Sequence, residues 1–121
     1  PGETPFLVQQ LVDNLEYRLE NAATDEEKLE RILDAHIQFE RIHPFSDGNG
    51  RTGRVIMNYS LLQEGFPPLI IEKETKATYI ELLAKQDLDG FMSFAKEILA
   101  KEQKRMKAFQ NMDQEQIKQI E

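Results

Sequence analysis

Apolar residues recur at three- and four-residue intervals along most of the chain, and that period admits helices while leaving little room for strands. Thr4-Pro5 opens the first stretch as a hydroxyl cap followed by a proline in the first helical turn. Leu7, Val8, Leu11, Val12, Leu15 and Leu19 then keep the period to about Asn21. Thr24-Asp25-Glu26-Glu27 is a capping box for a second helix, whose Leu29, Ile32, Leu33, His36, Ile37 and Phe39 lead towards Ile42 before Pro44 ends it. A third helix carries Val55, Ile56, Tyr59, Leu61 and Leu62, with Gly65 as its stop. Pro67-Pro68 enforces a loop, and Leu69-Ile70-Ile71 is too brief to build a sheet. A fourth helix is expected over 73–87 with Ala77, Ile80, Leu83 and Ala84 inward. Past Asp89-Gly90, a fifth places Phe91, Phe94, Ala95, Ile98 and Leu99 against the core. The fold class is therefore all-α: a compact bundle of about five helices, with a turn-rich loop between two central ones. The organisation is one domain over 1–112 and a polar segment over 113–121, either a frayed helix or a tail.

Composition narrows the functional classes. The chain has 121 residues, enough for one core, and no cysteine, so disulfides, zinc thiolates and thiol catalysis are excluded. Two histidines are too few for a multi-histidine metal centre. With 15 Lys plus Arg against 22 Asp plus Glu, the net charge of −7 argues against a nucleic-acid partner. No apolar run is long enough to span a bilayer, so a cytoplasmic protein without membrane contact is expected. The acidity is uneven. Residues 1–40 hold the whole excess, whereas Arg41, Arg51 and Arg54 face only Asp47 between positions 41 and 58.

That basic island overlaps the densest turn chemistry in the chain, His43-Pro44-Phe45-Ser46-Asp47-Gly48-Asn49-Gly50-Arg51-Thr52-Gly53-Arg54. Gly48 and Gly50 flank Asn49 just before a helix, so backbone N–H groups can converge on one point with the positive helix end behind them: an anion site suited to phosphate. Arg51 and Arg54, three apart, share one helix face and make a polyphosphate clamp. His43 is the group here that takes a proton near neutral pH. Asp47 is a hard oxygen donor of the kind that holds Mg²⁺ together with substrate phosphates. A calcium loop is excluded, because Arg51 and Asn58 occupy the fifth and twelfth positions. A Walker A loop is excluded because no Gly-Lys-Ser/Thr follows.

The segment resembles the signature of the Fic family, His-x-Phe-x-Asp/Glu-Gly-Asn-Gly-Arg-x-x-Arg, with every fixed position filled and Ala35-His36 and Arg41-Ile42 leading into it. The helical layout from about residue 4 to residue 110 also fits a Fic core. The resemblance implies transfer of AMP from ATP to a Ser, Thr or Tyr hydroxyl of a target protein, with Mg²⁺ and release of pyrophosphate. On that basis His43 is the general base and Asp47 the Mg²⁺ ligand. Gly48, Asn49 and Gly50 form the anion hole, Arg51 neutralises the β-phosphate side, and Arg54 holds the γ-phosphate or orders the loop. Phe45 is expected to anchor the loop in the core. Doc-like relatives, which transfer phosphate, carry lysine where this chain has Gly50, so Gly50 favours nucleotide transfer.

The remaining readings are plainer. His36 is expected to be a hydrogen-bonded core histidine, Tyr59 and Tyr79 core aromatics with satisfied hydroxyls, and Tyr17 partly exposed. Met57, Met92, Met106 and Met112 are gap fillers or surface residues, and Lys101, Lys104, Arg105 and Lys107 a solvated basic run near a helix end. The inhibitory Ser/Thr-x-x-x-Glu-Gly/Asn helix of many Fic proteins has no match, since Ile98 follows Ser93 and Glu97, and the target-aligning β-hairpin would precede Pro1. Both point to a fragment. Movement or removal of other phosphate-linked groups, toxin behaviour, a non-catalytic nucleotide-binding module and self-association remain alternatives.

Overall fold

A computed structural model describes residues 4–42 and 49–120, with side chains for 5–42 and 50–112. Among the described residues the chain forms five helices and no strand: α1 (Thr4–Glu20), α2 (Asp25–Ile42), α3 (Asn49–Gln63), α4 (Lys76–Ala84) and α5 (Leu88–Ile120). α2 is the hub, packing against α1, α3 and α5, while α4 packs on α5.

Local chemistry sets the helix ends. Thr24 Oγ1 accepts the Glu27 N–H at 3.1 Å, and Glu27 Oε2 reaches back to accept the Ala23 N–H at 2.8 Å, closing the capping box one residue beyond its usual partner. Asp25, Glu26 and Glu27 place three carboxylates at the positive end of α2. At the far end of α3, Gly65 has φ of 86°, the Phe66 N–H donates to the Leu61 carbonyl at 2.9 Å and the Gly65 N–H to the Leu62 carbonyl at 3.1 Å. This is a Schellman stop, and its αL position is one that glycine occupies without strain. The Pro67-Pro68 loop is then tied back by Asn58, whose Oδ1 accepts the Leu69 N–H at 2.7 Å.

The core gathers Leu15 from α1; Leu29, Ile32, Leu33 and Ile37 from α2; Met57 and Leu61 from α3; Tyr79 from α4; and Phe91, Ala95 and Leu99 from α5. α2 and α3 approach closely at Gly53, where a Cβ would overlap Glu40 Oε1 and lie 3.0 Å from Phe39 Cδ1. Cross-helix ion pairs sit at the rim: Arg18 with Asp34 at 2.9 Å, Lys28 with Glu64 at 3.8 Å, and Lys96 with Glu26.

Several expectations are corrected by this packing. Tyr59 is not a core aromatic but 63 % exposed, its hydroxyl accepting from Gln63 at 3.0 Å. It shares the solvent face of α3 with Val55 and Leu62, because Gly53, Met57, Ser60 and Leu61 turn to α2. In α4, which is shorter than the expected 73–87, Ala77, Ile80 and Ala84 are exposed and Tyr79 is the buried residue. A polar tie from Tyr79 to α2, described below, sets that rotation. Tyr17 is 68 % exposed. Met57 and Met92 are buried, while Met106 and Met112 are exposed. The basic run Lys101–Lys107 is solvated but lies mid-helix, since α5 continues to Ile120, which also makes the segment before Glu121 helical. The position expected for the Phe45 anchor lies outside the described residues.

Candidate functional site

A cavity of about 530 Å³ opens where the C-terminal end of α2, the N-terminal turn of α3 and one face of α4 meet. Its lining divides into two kinds of surface. Ile37, Ile80, Leu83 and Ala84 make an apolar wall, and Arg41, Arg54 and Lys76 supply three cations against the carboxylate of Glu40. In a chain of net charge −7, this is a local reversal of sign. The first turn of α3 adds amides that have no partner within the helix itself, and its positive dipole end. An apolar wall beside a cationic rim and a helix N-terminus suits a ligand that joins a flat heterocycle to phosphates.

Of the residues singled out in the sequence, Gly50 and Arg54 line this cavity. The Arg54 side chain folds back along α3, so that its Nη1 would lie 3.1 Å from a Cβ at position 50. Glycine at 50 thus leaves the guanidinium its place. Arg51 is exposed and does not line the cavity. Asn49 is the first residue of α3. His43, Asp47 and Gly48 lie outside the described residues.

Under the cationic rim lies a buried polar pair. His36 on α2 is 3 % exposed, and its Nε2 is 2.6 Å from the Tyr79 hydroxyl. Burial lowers the His36 pKa to about 4, with the nearby Arg54 charge adding to the effect and the facing Gly53 backbone opposing it. Nδ1 is buried and has no hydrogen-bond partner among the described residues. Burial likewise pushes the Tyr79 hydroxyl up to about 12, aided by the Glu40 carboxylate and opposed by a hydrogen bond from the Arg54 guanidinium and by its charge. Both groups are therefore uncharged at neutral pH. Phe91 completes a ring cluster, its centroid 5.9 Å from that of His36 and 6.0 Å from that of Tyr79.

Arg41, Lys76, Tyr79 and Gln86 are the site residues that sequence reasoning passed over. Arg41 was visible as part of the basic island, but Lys76 and Tyr79 lie on α4, far along the chain from the motif. Gln86 carries a local mark only in the structure: φ of 53° for a non-glycine residue at the cavity edge.

Comparison with known proteins places the chain in a family. The family model described as "Fic/DOC family" matches residues 1–61. The chain belongs to the Fic/DOC family. "Protein adenylyltransferase fic-1" of Caenorhabditis elegans is 32 % identical over 96 residues, covering 79 % of this chain and 19 % of that protein. "Protein adenylyltransferase Fic" of Drosophila willistoni is 35 % identical over 99 residues, covering 78 % and 19 %. The Aedes aegypti protein of the same name is 51 % identical over 63 residues, covering 50 % and 13 %. The chain thus spans about a fifth of the length of the first two of these Fic relatives. No solved structure matches it. No described helix is long and apolar enough to cross a membrane.

Proposed function

We propose that this Fic domain is a protein adenylyltransferase: it transfers AMP from ATP to a Ser, Thr or Tyr hydroxyl of a target protein and releases pyrophosphate. The observation that carries the reading is the cavity at the start of α3, where Gly50 and Arg54 of the complete motif meet Arg41, Lys76 and an apolar wall. The names of the relatives, all adenylyltransferases, support the same chemistry.

In this reading the adenine lies against Ile37, Ile80 and Leu83, and the triphosphate crosses the N-terminal end of α3. Amides at Gly48, Asn49 and Gly50 receive the phosphate oxygens, Arg51 meets the β-phosphate side and Arg54 the terminal phosphate. His43 accepts the proton of the target hydroxyl. The hydroxyl oxygen bonds to the α-phosphorus as the bond from that phosphorus to the oxygen bridging to the β-phosphate breaks, and that oxygen leaves with pyrophosphate. Asp47 and phosphate oxygens together make an all-oxygen donor set, which suits Mg²⁺, and among the described residues no group of three His, Cys, Asp or Glu side chains competes for a metal. Mg²⁺ held there would neutralise phosphate charge. Such transfer asks mainly for positioning and charge neutralisation, which these side chains supply.

The test is incubation of the chain with candidate proteins, ATP and Mg²⁺, followed by intact-mass spectrometry. The expected result is a mass increment of AMP on a hydroxyl residue, lost by a factor of roughly 10²–10⁴ in rate in His43→Ala. An increment of phosphate, or transfer undiminished by His43→Ala, would overturn the reading. Nucleotide binding without any transfer to any target would leave a binding module in its place.

A further inference from the structure

A tyrosine that only packs needs no hydroxyl. Tyr79 is 2 % exposed, and burying its oxygen costs free energy unless that oxygen is hydrogen-bonded. It has polar neighbours on both sides: His36 Nε2 lies 2.6 Å away beneath it, and Arg54, which lines the same cavity as Tyr79, acts on the oxygen from the cavity side as a hydrogen-bond donor. The three groups come from three helices, α2, α4 and α3 in turn.

The direction of this chain follows from donor and acceptor inventory. A guanidinium only donates, so Tyr79 Oη accepts from Arg54 and its own proton is free to point to His36. The hydroxyl proton then has His36 Nε2 as its partner at 2.6 Å, which assigns Nε2 as the acceptor nitrogen of a neutral imidazole and the ring proton to Nδ1. The order is Arg54 N–H to Tyr79 O–H to His36 Nε2, each link fixing the orientation of the next. Stacking supports the lower link, since the His36 and Tyr79 rings lie 5.8 Å apart at 23°.

We propose that Tyr79, held in place by His36, is a positioning residue that fixes the Arg54 guanidinium for the terminal phosphate of a nucleoside triphosphate. The inference rests on the nucleotide-binding part of the proposed function. A free arginine on a helix surface samples many rotamers and gives up that freedom when it binds; one already held by Tyr79 has less to lose. The device would therefore act on ligands that carry a terminal phosphate and leave those without it almost untouched. Packing alone predicts no such distinction.

Calorimetric titration of the 121-residue chain with Mg-ATP and Mg-ADP tests this directly. Tyr79→Phe keeps the ring and removes the oxygen. The expected result is ATP binding weakened about tenfold, as for loss of a charge-assisted hydrogen bond, with ADP binding changed less than about twofold. On an Arg54→Ala background, Tyr79→Phe is expected to add no further loss. Equal weakening of both nucleotides, no weakening of either, or additive losses in the double variant would each overturn the inference while leaving the proposed function standing. Absence of ATP binding by the unaltered chain would overturn both. Should Tyr79→Phe fail to fold, NMR of the unaltered, nucleotide-free chain decides: resolved, exchange-protected Arg54 guanidinium N–H resonances are expected, and guanidinium signals all averaged to the free-arginine positions overturn the inference.

Discussion

The imidazole of His36 and the phenol of Tyr79, 43 residues apart in sequence, meet at 2.6 Å inside the bundle. That contact ties α2 to α4, sets which face of α4 turns inward, and puts a polar strut beneath the cationic rim of the cavity. The buried position calls for a neutral imidazole, because a proton added there would put a charge out of reach of water.

The pH dependence of stability follows from that requirement. The His36 pKa falls from 6.5 to about 4 on folding, so between those values the unfolded chain binds more protons than the folded one. Stability is then full above about pH 6.5 and is lost as pH falls towards 4, by about 3 kcal/mol over the window. An NMR titration of the two histidines, assigned with His43→Ala, is expected to show His36 titrating near 4. A midpoint near 6.5 would contradict the burial argument.

At Gly53, the close approach of α2 and α3 leaves no room for a methyl group. Gly53→Ala would gain up to about 1 kcal/mol of helix propensity but forces the buried Phe39 ring and the Glu40 carboxylate aside. A net loss of about 1 kcal/mol is expected in chemical denaturation, whereas a stabilised variant would show that the two helices separate freely.

Gly65 presents the opposite case, since nothing lies within 4 Å of a Cβ there and only its φ of 86° resists substitution. Gly65→Ala is expected to cost about 1 kcal/mol in thermal unfolding, and Gly65→Asn less, because asparagine tolerates the left-handed region. Equal costs for the two would point to a steric cause instead.

The α2 cap gives a fourth measurable quantity. Thr24→Ala removes the oxygen that accepts the Glu27 N–H and is expected to cost about 1 kcal/mol, while Thr24→Ser retains most of the stability. Urea midpoints of the pair check this, and similar midpoints for the two would remove the cap from the account.

Features governed by neighbours along the chain were legible in the sequence: the Thr24 cap, the Gly65 stop, the helical class and the buried stripe of α2. Two kinds of information were not. α3 carries apolar residues on opposite faces, Met57 and Leu61 inward with Val55, Tyr59 and Leu62 outward, so periodicity alone has no means of choosing between them. α4 has Ala77, Ile80 and Ala84 in a plausible stripe, yet it turns to bury Tyr79 because a hydroxyl acceptor waits on α2. In the site the motif named Gly50 and Arg54, but Lys76 joins them only through tertiary packing, which a local pattern does not encode.

α5 runs without a break from Leu88 to Ile120, with Phe91 fully buried at one end and Met112 60 % exposed further along. At 1.5 Å per residue the two are about 30 Å apart along the axis. Between Lys101 and Met112 every residue but Glu102 is exposed, so this half of the helix projects beyond Leu99, the last core residue of α5. A tilt of about 5° where the helix leaves the core at Leu99 carries Met112 through roughly 2 Å of arc, taking the free part as a straight rod. With no cysteine elsewhere in the chain, a thiol introduced at Met112 is a unique attachment point for a distance probe. A probe there would report changes in the direction in which α5 leaves the core.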